Sequence, residues 1–580
     1  MKTPWFQLRS TPWLRLAALP LLLSGFAVRA DDPRTNSWFT TYSGKYARSY
    51  TNAAAQTASN AVTTWGNGSQ TQSAPAYCGV QSVYSSSNWV YFHTTGLASH
   101  TMGAWSTGFP NLPANQHVLY RIPRTNLITI PATKTQTALG AIGYFVDGVA
   151  MFDSRDGYVW TGSAESGSGT GYWNRDAYVN ESATFDPAYA HQENTGTYHY
   201  HANPIALRYL IGDHVSYNSS ARTYYEATNP VTKHSPILGW VRDGYPIYGP
   251  YGYAVSNNTA SGVRLMVSGY VLRNGKYGTD NLTNTLRTNL PAWAQRLYGI
   301  NSAGPTDLSA YPIGRYMEDK AYLGDLTNSA TGQKYVQGTD YDLDEYNGRW
   351  CVTPEFPQGT YAYFVSISSN GAPLFPYNIG RAFYANPTGA VVSAISETVV
   401  TNFIGGPNAT PVLASPAAKS GQVTLAWSAA EGGTYMVQST TNLTSWTTNT
   451  TTVSAVLNSA SYTNQAAENA RFYRVALTGL ATYDPVSTTT VAVPGGSATR
   501  GTTVAVSITL PTTPPWPPAG APIASVTLGG SIAGTSISDT AQGTVLATFT
   551  IPANATTGTQ SVVVVFTSGP TYTVSGLTIH

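Results

Sequence analysis

Short apolar runs that end at turn residues recur along the chain and predict β-strands. Two of them, 142–146 and 237–241, each lead into an Asp-Gly pair, at Asp147-Gly148 and at Asp243-Gly244. Asp-Gly favours a hairpin, because glycine adopts a positive φ without steric cost. The two strand–turn–strand units are similar to each other and suggest an internal duplication.

The composition changes near Asn386-Pro387, where tyrosines thin out and Thr, Ser, Val and Ala predominate. Beyond this point strands are predicted at 422–427, 435–438, 452–456, 472–476, 489–493, 503–510, 525–528, 543–551 and 561–566. Short strands at this spacing are typical of small β-sandwiches. The sequence therefore predicts a mainly β protein, with a large β-rich domain followed by two small β-sandwich modules.

Composition and charge narrow the class of protein. Charged residues make up 10% of the 580 residues, and the net charge is +2. Such a balance argues against a nucleic-acid binder, which needs a basic face to neutralise phosphates. Few charges combined with abundant Thr, Ser, Asn, Gly and Tyr are typical of an all-β extracytoplasmic protein.

The N-terminus has the pattern of a secretory signal peptide. Basic residues precede an apolar stretch from 16 to 28, and small residues at Val28 and Ala30 suit a cleavage site. Cleavage after Ala30 would leave a protein without a predicted transmembrane segment. We therefore expect residues 1–30 to be removed and the protein to be secreted, periplasmic or attached to the cell surface.

The two cysteines, Cys78 and Cys351, are the only ones in the chain. In an oxidising compartment an isolated pair most simply forms one disulfide bond. A thiolate metal ligand or two separate thiols are the alternatives. The sequence predicts the disulfide.

Thr197-Tyr198-His199-Tyr200-His201-Ala202 is the string most specific for chemistry. On a β-strand, His199 and His201 would share one face, while Tyr198 and Tyr200 would share the other. Two imidazoles on one face can converge on a metal ion, and histidine is the commonest metal ligand near neutral pH. The alternative is that both histidines are structural and bind neighbouring strands.

Further candidates come from the cluster of eight histidines between 93 and 234. His100 and His234 are the expected additional ligands, and His191 is a weaker one because it lies in a polar segment. His100 with Met102 would suit copper, so zinc and copper both stay open. Asp243 and Asp147 are either plain turn residues or hydrogen-bond partners of a metal-ligating imidazole.

Several strings in the central region together resemble the YHYH-domain family of secreted bacterial proteins. They are Tyr198-His199-Tyr200-His201, the segment 234–252, which contains Asp243-Gly244-Tyr245-Pro246-Ile247-Tyr248, and the segments 95–103, 140–149 and 343–349. The chain departs from the family pattern at Tyr346, where many relatives carry cysteine. The resemblance implies a YHYH domain at 31–388 but no established reaction, and therefore no catalytic residue.

The tail resembles two common module types. Residues 392–478 are similar to fibronectin-III-like sandwiches through Val423-Thr424-Leu425-Ala426-Trp427, and residues 482–580 look like an immunoglobulin-like sandwich. Such modules usually act as spacers or adhesion units.

Two functions from different classes follow from these features. The first is transition-metal binding by the His-x-His strand, with metal-dependent hydrolytic or redox activity. The alternative is a non-catalytic surface protein whose aromatic-rich central domain binds polysaccharide by stacking. No Gly-x-Ser-x-Gly elbow, His-Glu-x-x-His helix or phosphate-binding glycine loop is present. Whether the protein is an enzyme is not decided by the sequence.

Overall fold

A computed structural model describes residues 32–580 except 68–69, 106–110, 168–169, 420, 466–470, 481–489, 493–496, 511–522, 542–543 and 567–570. The protein is mainly β, with 41% strand and 10% helix, as the sequence predicts. The signal-peptide prediction falls on residues outside this description. No helix of the described residues is long and apolar enough to cross a membrane.

The strands that precede residue 300 are β1 (Ser49–Tyr50), β2 (Trp65–Asn67), β3 (Gln70–Gln72), β4 (Val80–Ser85), β5 (Trp89–Thr94), β6 (Met102–Gly103), β7 (Val118–Pro123), β8 (Ala141–Phe145), β9 (Ala150–Phe152), β10 (Arg155–Trp160), β11 (Glu165–Ser166), β12 (Trp173–Asp176), β13 (Ala190–Gln192), β14 (Tyr198–Tyr200), β15 (Val215–Asn218), β16 (Thr223–Glu226), β17 (Ile237–Val241), β18 (Pro246–Tyr248), β19 (Tyr251–Val255), β20 (Asn258–Leu265) and β21 (Tyr270–Leu272). The later strands are β22 (Lys320–Tyr322), β23 (Gly348–Cys351), β24 (Thr360–Phe364), β25 (Ala390–Val391), β26 (Val400–Ile404), β27 (Ala417–Lys419), β28 (Gln422–Ser428), β29 (Gly433–Thr440), β30 (Thr447–Ser454), β31 (Ser459–Gln465), β32 (Phe472–Leu480), β33 (Thr490–Ala492), β34 (Thr503–Thr509), β35 (Ile523–Leu528), β36 (Ile532–Ala541), β37 (Thr544–Thr550), β38 (Gly558–Phe566) and β39 (Thr571–Ile579).

The helices are short. They are α1 (Pro33–Asn36), α2 (Ala53–Thr57), α3 (Ala177–Glu181), α4 (Ile205–Leu210), α5 (Leu282–Thr285) and α6 (Ala292–Tyr298), with 3-10 turns at Thr125–Leu127, Ser182–Thr184, Met317–Asp319, Leu323–Asp325 and Gly406–Asn408.

Two sheets enclose the main core. One has five strands in the order β25-β7-β5-β4-β26, and the other has eight in the order β13-β14-β9-β8-β17-β18-β24-β23. Aromatic rings from both sheets meet between them: Phe92 on β5 lies 5.4 Å from Tyr144 on β8, and Tyr120 on β7 lies 4.7 Å from the same ring. Every residue of β17 is buried, which explains its continuous apolar sequence.

The eight-stranded sheet consists of two halves with the same pairing pattern. In the first half β8 and β9 form a hairpin, β9 runs parallel to β14, and β14 pairs antiparallel with β13. In the second half β17 and β18 form a hairpin, β18 runs parallel to β24, and β24 pairs antiparallel with β23. The halves meet where β8 pairs antiparallel with β17. This arrangement is the structural counterpart of the duplication suggested by the two Asp-Gly strings.

Both predicted Asp-Gly hairpins are confirmed. Gly148 has φ +80° between β8 and β9, and Gly244 has φ +90° between β17 and β18. A Cβ at Gly148 would collide with the hydroxyl of Thr94, and one at Gly244 would lie 2.8 Å from the carbonyl oxygen of Pro123. Glycine is therefore required at both turns by backbone conformation and by space.

The tail is made of β-sheets with separate small cores. Strands β27-β28-β31 and β30-β29-β32 form two three-stranded sheets, which enclose Leu425, Trp427, Tyr435 and Val437. Strands β33 to β39 form a seven-stranded sheet that has β33 at one edge and β39 at the other. The β-sandwich character expected of the tail is thus present, while no specific module family is established for either part.

The region around residue 388 is continuous with the main core. Strands β25 and β26 both follow residue 388, yet β25 pairs with β7 and β26 pairs with β4. The next module also contacts the N-terminal segment, because Glu431 accepts a hydrogen bond from the backbone of Tyr46 and pairs with Arg48 at 2.5 Å. The five-stranded sheet is therefore completed by residues that follow the change in composition.

The predicted disulfide bond is absent. Cys78 and Cys351 are both buried thiols. Cys78 precedes β4 and its neighbour Gly79 packs against the backbone of Asp147, directly after β8, whereas Cys351 ends the edge strand β23. Four strand spacings separate β8 from β23, which is about 19 Å and far beyond the span of a disulfide.

Candidate metal centre

The Tyr-His-Tyr-His string lies near one edge of the eight-stranded sheet. Strand β14 carries Tyr198, His199 and Tyr200, and its alternation places the tyrosines and the histidines on opposite faces. Tyr198 and Tyr200 are fully buried, and the ring of Tyr200 packs edge-on against Phe145 at 5.2 Å. His199 and His201 lie on the other face with ring centroids 4.8 Å apart.

A third imidazole comes from the neighbouring strand. His191 on β13 is paired directly with His199 on β14. The loop between the strands closes with Gly196, whose φ is +79°, and the amide of Gly196 donates to the carbonyl of Glu193 at 2.9 Å. One potential ligand atom from each of the three histidines lies within 4.8 Å of the other two.

The sequence ranks His191 below His100 and His234 as a metal ligand, yet His191 is the histidine that lies beside His199 and His201. A usable signal is the symmetry of the hairpin, since His191 and His199 are equally distant from the turn at Thr195. Two residues placed in this way face each other across an antiparallel ladder and share a face. The polar residues around His191 do not by themselves indicate this pairing.

Two of the imidazoles are oriented by backbone carbonyl groups. Nδ1 of His199 lies 2.8 Å from the carbonyl oxygen of Thr197, and Nδ1 of His201 lies 2.6 Å from that of Asp153. A carbonyl oxygen only accepts hydrogen bonds, so each Nδ1 carries the proton and donates. The lone pair of each ring is therefore on Nε2.

The third imidazole is oriented by a hydroxyl group. The hydroxyl of Thr184 donates to the carbonyl oxygen of Glu181 at 2.7 Å, so its own oxygen is left to accept from Nδ1 of His191 at 2.8 Å. His191 therefore also carries its proton on Nδ1 and its lone pair on Nε2. Oxygen acceptors that fix Nδ1–H in this way are typical of metal-ligating histidines.

The two lone pairs of the His-x-His pair point at one another. Nε2 of His199 and Nε2 of His201 are 3.0 Å apart. A shared proton is disfavoured, because burial lowers the pKa of both rings and also lowers that of His191 to about 2. A cation between the nitrogens removes the repulsion, and a tetrahedral zinc site would separate them by about 3.3 Å at Zn–N distances of about 2.0 Å.

A carboxylate completes the group. Oε2 of Glu181, at the end of α3, lies 3.3 Å from Nε2 of His201 and 3.5 Å from Nε2 of His191. Burial raises the pKa of Glu181 to about 7. No sequence motif marks Glu181, which lies on a short helix ten residues before His191.

The cluster opens into a cavity of about 620 Å³. Phe152 forms one wall and stacks on His199 with centroids 3.8 Å apart, while Arg155 and Asp156 line the cavity beside Glu181. Burial raises the pKa of Asp156 to about 6, although its carboxylate lies 2.7 Å from Arg175. A small molecule can therefore reach the imidazoles through a lining that is partly apolar and partly charged.

His100 and His234 lie outside this centre. Nε2 of His100 is 3.0 Å from the hydroxyl of Tyr198, on the opposite face of β14. His234 donates from Nδ1 to the carbonyl of Ser235 at 2.7 Å and packs edge-on against Tyr248. Neither residue therefore lies with the three imidazoles, because strand alternation and sheet order direct them elsewhere.

Asp147 and Asp243 do not contact the imidazoles but stabilise the two turns by hydrogen bonds. Asp147 accepts from the amide of Val149 at 3.3 Å, and Asp243 accepts from the amide of Tyr245 at 3.2 Å and the hydroxyl of Tyr363 at 2.6 Å. Burial raises the pKa of Asp147 to about 7 and that of Asp243 to about 6. The plain turn interpretation therefore describes both residues, and carbonyl and hydroxyl oxygens orient the histidines instead.

The model of the YHYH protein family matches residues 119–374. The YHYH segment thus extends from β7 beyond β24 and contains all three histidines and Glu181. No curated protein matches the chain.

Two solved structures show limited likeness to the chain. SGBP-B of the Bacteroides ovatus mixed-linkage glucan utilization locus, in complex with a mixed-linkage heptasaccharide, is 12% identical, with a TM-score of 0.12 over 30% of this chain and 48% of that one. The Escherichia coli adhesin FdeC is 13% identical, with a TM-score of 0.14 over 36% of this chain and 72% of that one. At these scores neither likeness bears on the function.

Proposed function

We propose that the YHYH segment binds a transition-metal ion through Nε2 of His191, His199 and His201, with Glu181 beside the fourth position. The observation that carries this proposal is the pair of Nε2 lone pairs 3.0 Å apart, in rings whose Nδ1 atoms are held by oxygen acceptors. Structural histidines would instead use both ring nitrogens in hydrogen bonds with complementary partners.

Zinc is the metal that this set of ligands suits best. Three imidazole nitrogens that leave the fourth position open match the catalytic zinc sites of proteins, whereas the group contains no sulfur ligand of the kind that favours copper(I). When bound in such a site, zinc lowers the pKa of a coordinated water to about 7. The Glu181 carboxylate, which lies 3.3 Å from Nε2 of His201, would be placed to accept a proton from a water bound there, and the cavity has room for a substrate. The activity that we propose is therefore metal-dependent hydrolysis in an exported protein.

Metal content of the full chain, purified without a histidine tag, tests the proposal. We expect one equivalent of zinc by elemental analysis after equilibration with zinc and removal of excess metal. The double substitution of His199 and His201 by alanine should abolish binding, and His191→Ala should weaken it by about a hundredfold or more. His214→Ala is the matched control, since this partly buried imidazole packs on Tyr251 and lies outside the group.

Two results would contradict the proposal. One is wild-type protein that takes up no metal at any concentration below the millimolar range. The other is equal loss of metal in His214→Ala and in the double variant, with unchanged melting temperatures. Glu181→Gln separates the metal site from hydrolysis: it should retain zinc but lose activity towards ester or phosphoester test substrates by about 10²-fold or more.

A further inference from the structure

A second cavity, of about 220 Å³, lies on the opposite side of the YHYH strand from the metal centre. Tyrosines form much of its wall. Tyr217 and Tyr224 face each other across the β15–β16 hairpin with ring centroids 4.7 Å apart, and Tyr209 on α4 lies 5.8 Å from Tyr217. Tyr209 and Tyr217 are 42% and 36% exposed, so a ligand in the cavity can stack on them.

The floor of this cavity contains a histidine with a fixed tautomer. The hydroxyl of Tyr198 donates to Oδ2 of Asp186 at 2.8 Å, because a carboxylate oxygen accepts. Its oxygen is then left to accept from Nε2–H of His100 at 3.0 Å. The Asp186 carboxylate is held in place by the amides of Gly103 and Ala188 at 2.8 and 2.9 Å.

The other nitrogen of His100 is therefore a hydrogen-bond acceptor. Nδ1 is buried and has no hydrogen-bond partner among the described residues, while the residue as a whole is 7% exposed and lines the cavity. A buried acceptor without a donor costs free energy, which a ligand hydroxyl would recover. Burial also lowers the pKa of His100 to about 3, so the ring stays neutral and retains the lone pair.

The charged residues that line the cavity are both cations. Lys45 lies above the ring of Tyr42, with its Nζ 4.9 Å from the ring centroid, and Arg222 is anchored by Ser59 at 2.6 Å. No carboxylate lines this cavity among the residues that the structure describes. The charge of the wall therefore favours an anionic ligand.

We infer that this cavity binds one uronic-acid unit of an acidic polysaccharide. A pyranose ring stacks on Tyr217 and Tyr209, a sugar hydroxyl donates to Nδ1 of His100, and the carboxylate pairs with Lys45 or Arg222. The volume suits a single sugar ring and is too small for a drug-sized ligand. This inference does not rest on the metal centre, because the two sites use opposite faces of β14.

Isothermal titration calorimetry with trigalacturonate, using cellotriose as the neutral counterpart, tests the inference on the full chain. We expect the acidic trisaccharide to bind at least tenfold more tightly than the neutral one. Tyr217→Ala and Lys45→Gln should each weaken binding of trigalacturonate by about tenfold or more. His100→Gln should weaken the binding of both sugars.

Tyr225→Ala is the matched control, because Tyr225 belongs to the same hairpin, pairs with Ser216 and is 47% exposed, but lies outside the cavity lining. The affinity of Tyr225→Ala for trigalacturonate should equal that of the wild type. All variants should have melting temperatures within a few degrees of the wild-type value. Protein treated with a chelator should bind the sugar unchanged. Absence of binding, equal affinity for both sugars, or equal loss in Tyr225→Ala would overturn the inference.

Discussion

Each imidazole of the proposed metal centre is oriented by one hydrogen bond from Nδ1. The acceptors are the carbonyl oxygens of Thr197 and Asp153 and the hydroxyl of Thr184. Because all three protons are on Nδ1, all three lone pairs are on Nε2 and converge. The chemistry of the site is therefore set by which nitrogen each neighbour can reach, at the scale of single residues.

The pKa values predict how many protons leave on metal binding. Burial lowers the pKa of the three histidines and so favours their neutral form, whereas burial raises that of Glu181 to about 7, so this carboxyl is mostly protonated at pH 6. Zinc binding at pH 6 should release about one proton, from Glu181, whereas above pH 8, where Glu181 is already ionised, the proton released should come from the zinc-bound water. Calorimetry in buffers of different ionisation enthalpy measures this number.

The Glu181→Gln variant is the control for proton release and should release close to no protons when it binds zinc at pH 6. Three histidines with the ordinary pKa of about 6.5 would release about two protons at pH 6, so that result would show that burial does not control their protonation. The affinity for zinc should accordingly fall by no more than about tenfold per pH unit between pH 7 and pH 5.5.

The two cysteines give a second prediction at this scale. Burial raises the pKa of the Cys78 thiol to about 12 and also raises that of Cys351, so neither should react with a thiol reagent in the native protein at pH 8. Denatured, unreduced protein should titrate two thiols per chain. A chain with no titratable thiol under these conditions would establish the disulfide and contradict the described positions of β4 and β23.

At the scale of elements, the hairpin of β13 and β14 determines whether the third imidazole reaches the site. The second half of the eight-stranded sheet has the same pairing, and there Tyr361, Ala362, Tyr363 and Phe364 occupy the positions of Tyr198, His199, Tyr200 and His201. The tyrosines recur while both imidazoles are replaced. The strand arrangement is thus shared by both halves, whereas the histidine cluster of the proposed metal centre belongs to the first half alone among the described residues.

Gly196 closes this hairpin and supplies a prediction. Gly196→Ala should cost about 1 kcal/mol of stability, because its φ of +79° disfavours a side chain, and it should weaken zinc binding by loosening His191 relative to His199. Gly212→Ala is the matched control, since Gly212 has φ +75° and open space around it. Thermal melts should show similar losses in both variants, and zinc titrations should separate them. Equal zinc affinity in both would mean that the turn does not position His191.

At the scale of the whole molecule, the main core includes chain from both sides of residue 388. Strand β26 covers the edge of the five-stranded sheet at β4, and Glu397 accepts a hydrogen bond from Tyr91 on β5 at 2.5 Å. The domain boundary at 388 that the change in composition predicts stays a prediction. The proposed metal centre lies at the far end of the other sheet and uses no residue of the tail.

Two truncated chains test how much of the protein the core needs. A chain ending at residue 409 keeps β25 and β26, and we expect it to fold, to bind zinc with wild-type affinity and to melt at a higher temperature than a chain ending at 390. The shorter chain exposes the edge of β4 and should aggregate more readily, as an uncovered strand does. Indistinguishable melting temperatures would mean that β26 contributes no stability to the sheet.

The sequence by itself determined the local features of this protein. Apolar runs and Asp-Gly turns predicted strands and hairpins, and period-two alternation placed His199 and His201 on one face, because these properties depend only on neighbouring residues. The tertiary structure decided which other groups join them. His191 lies beside them through cross-strand pairing, and Glu181 through the packing of α3. Strand alternation and sheet order place His100 and His234 elsewhere. Sheet order also separates Cys78 from Cys351. Apart from the pairing of His191 with His199 within one hairpin, such contacts depend on the order of strands in the sheet and on packing between elements, which residue patterns along the chain do not encode.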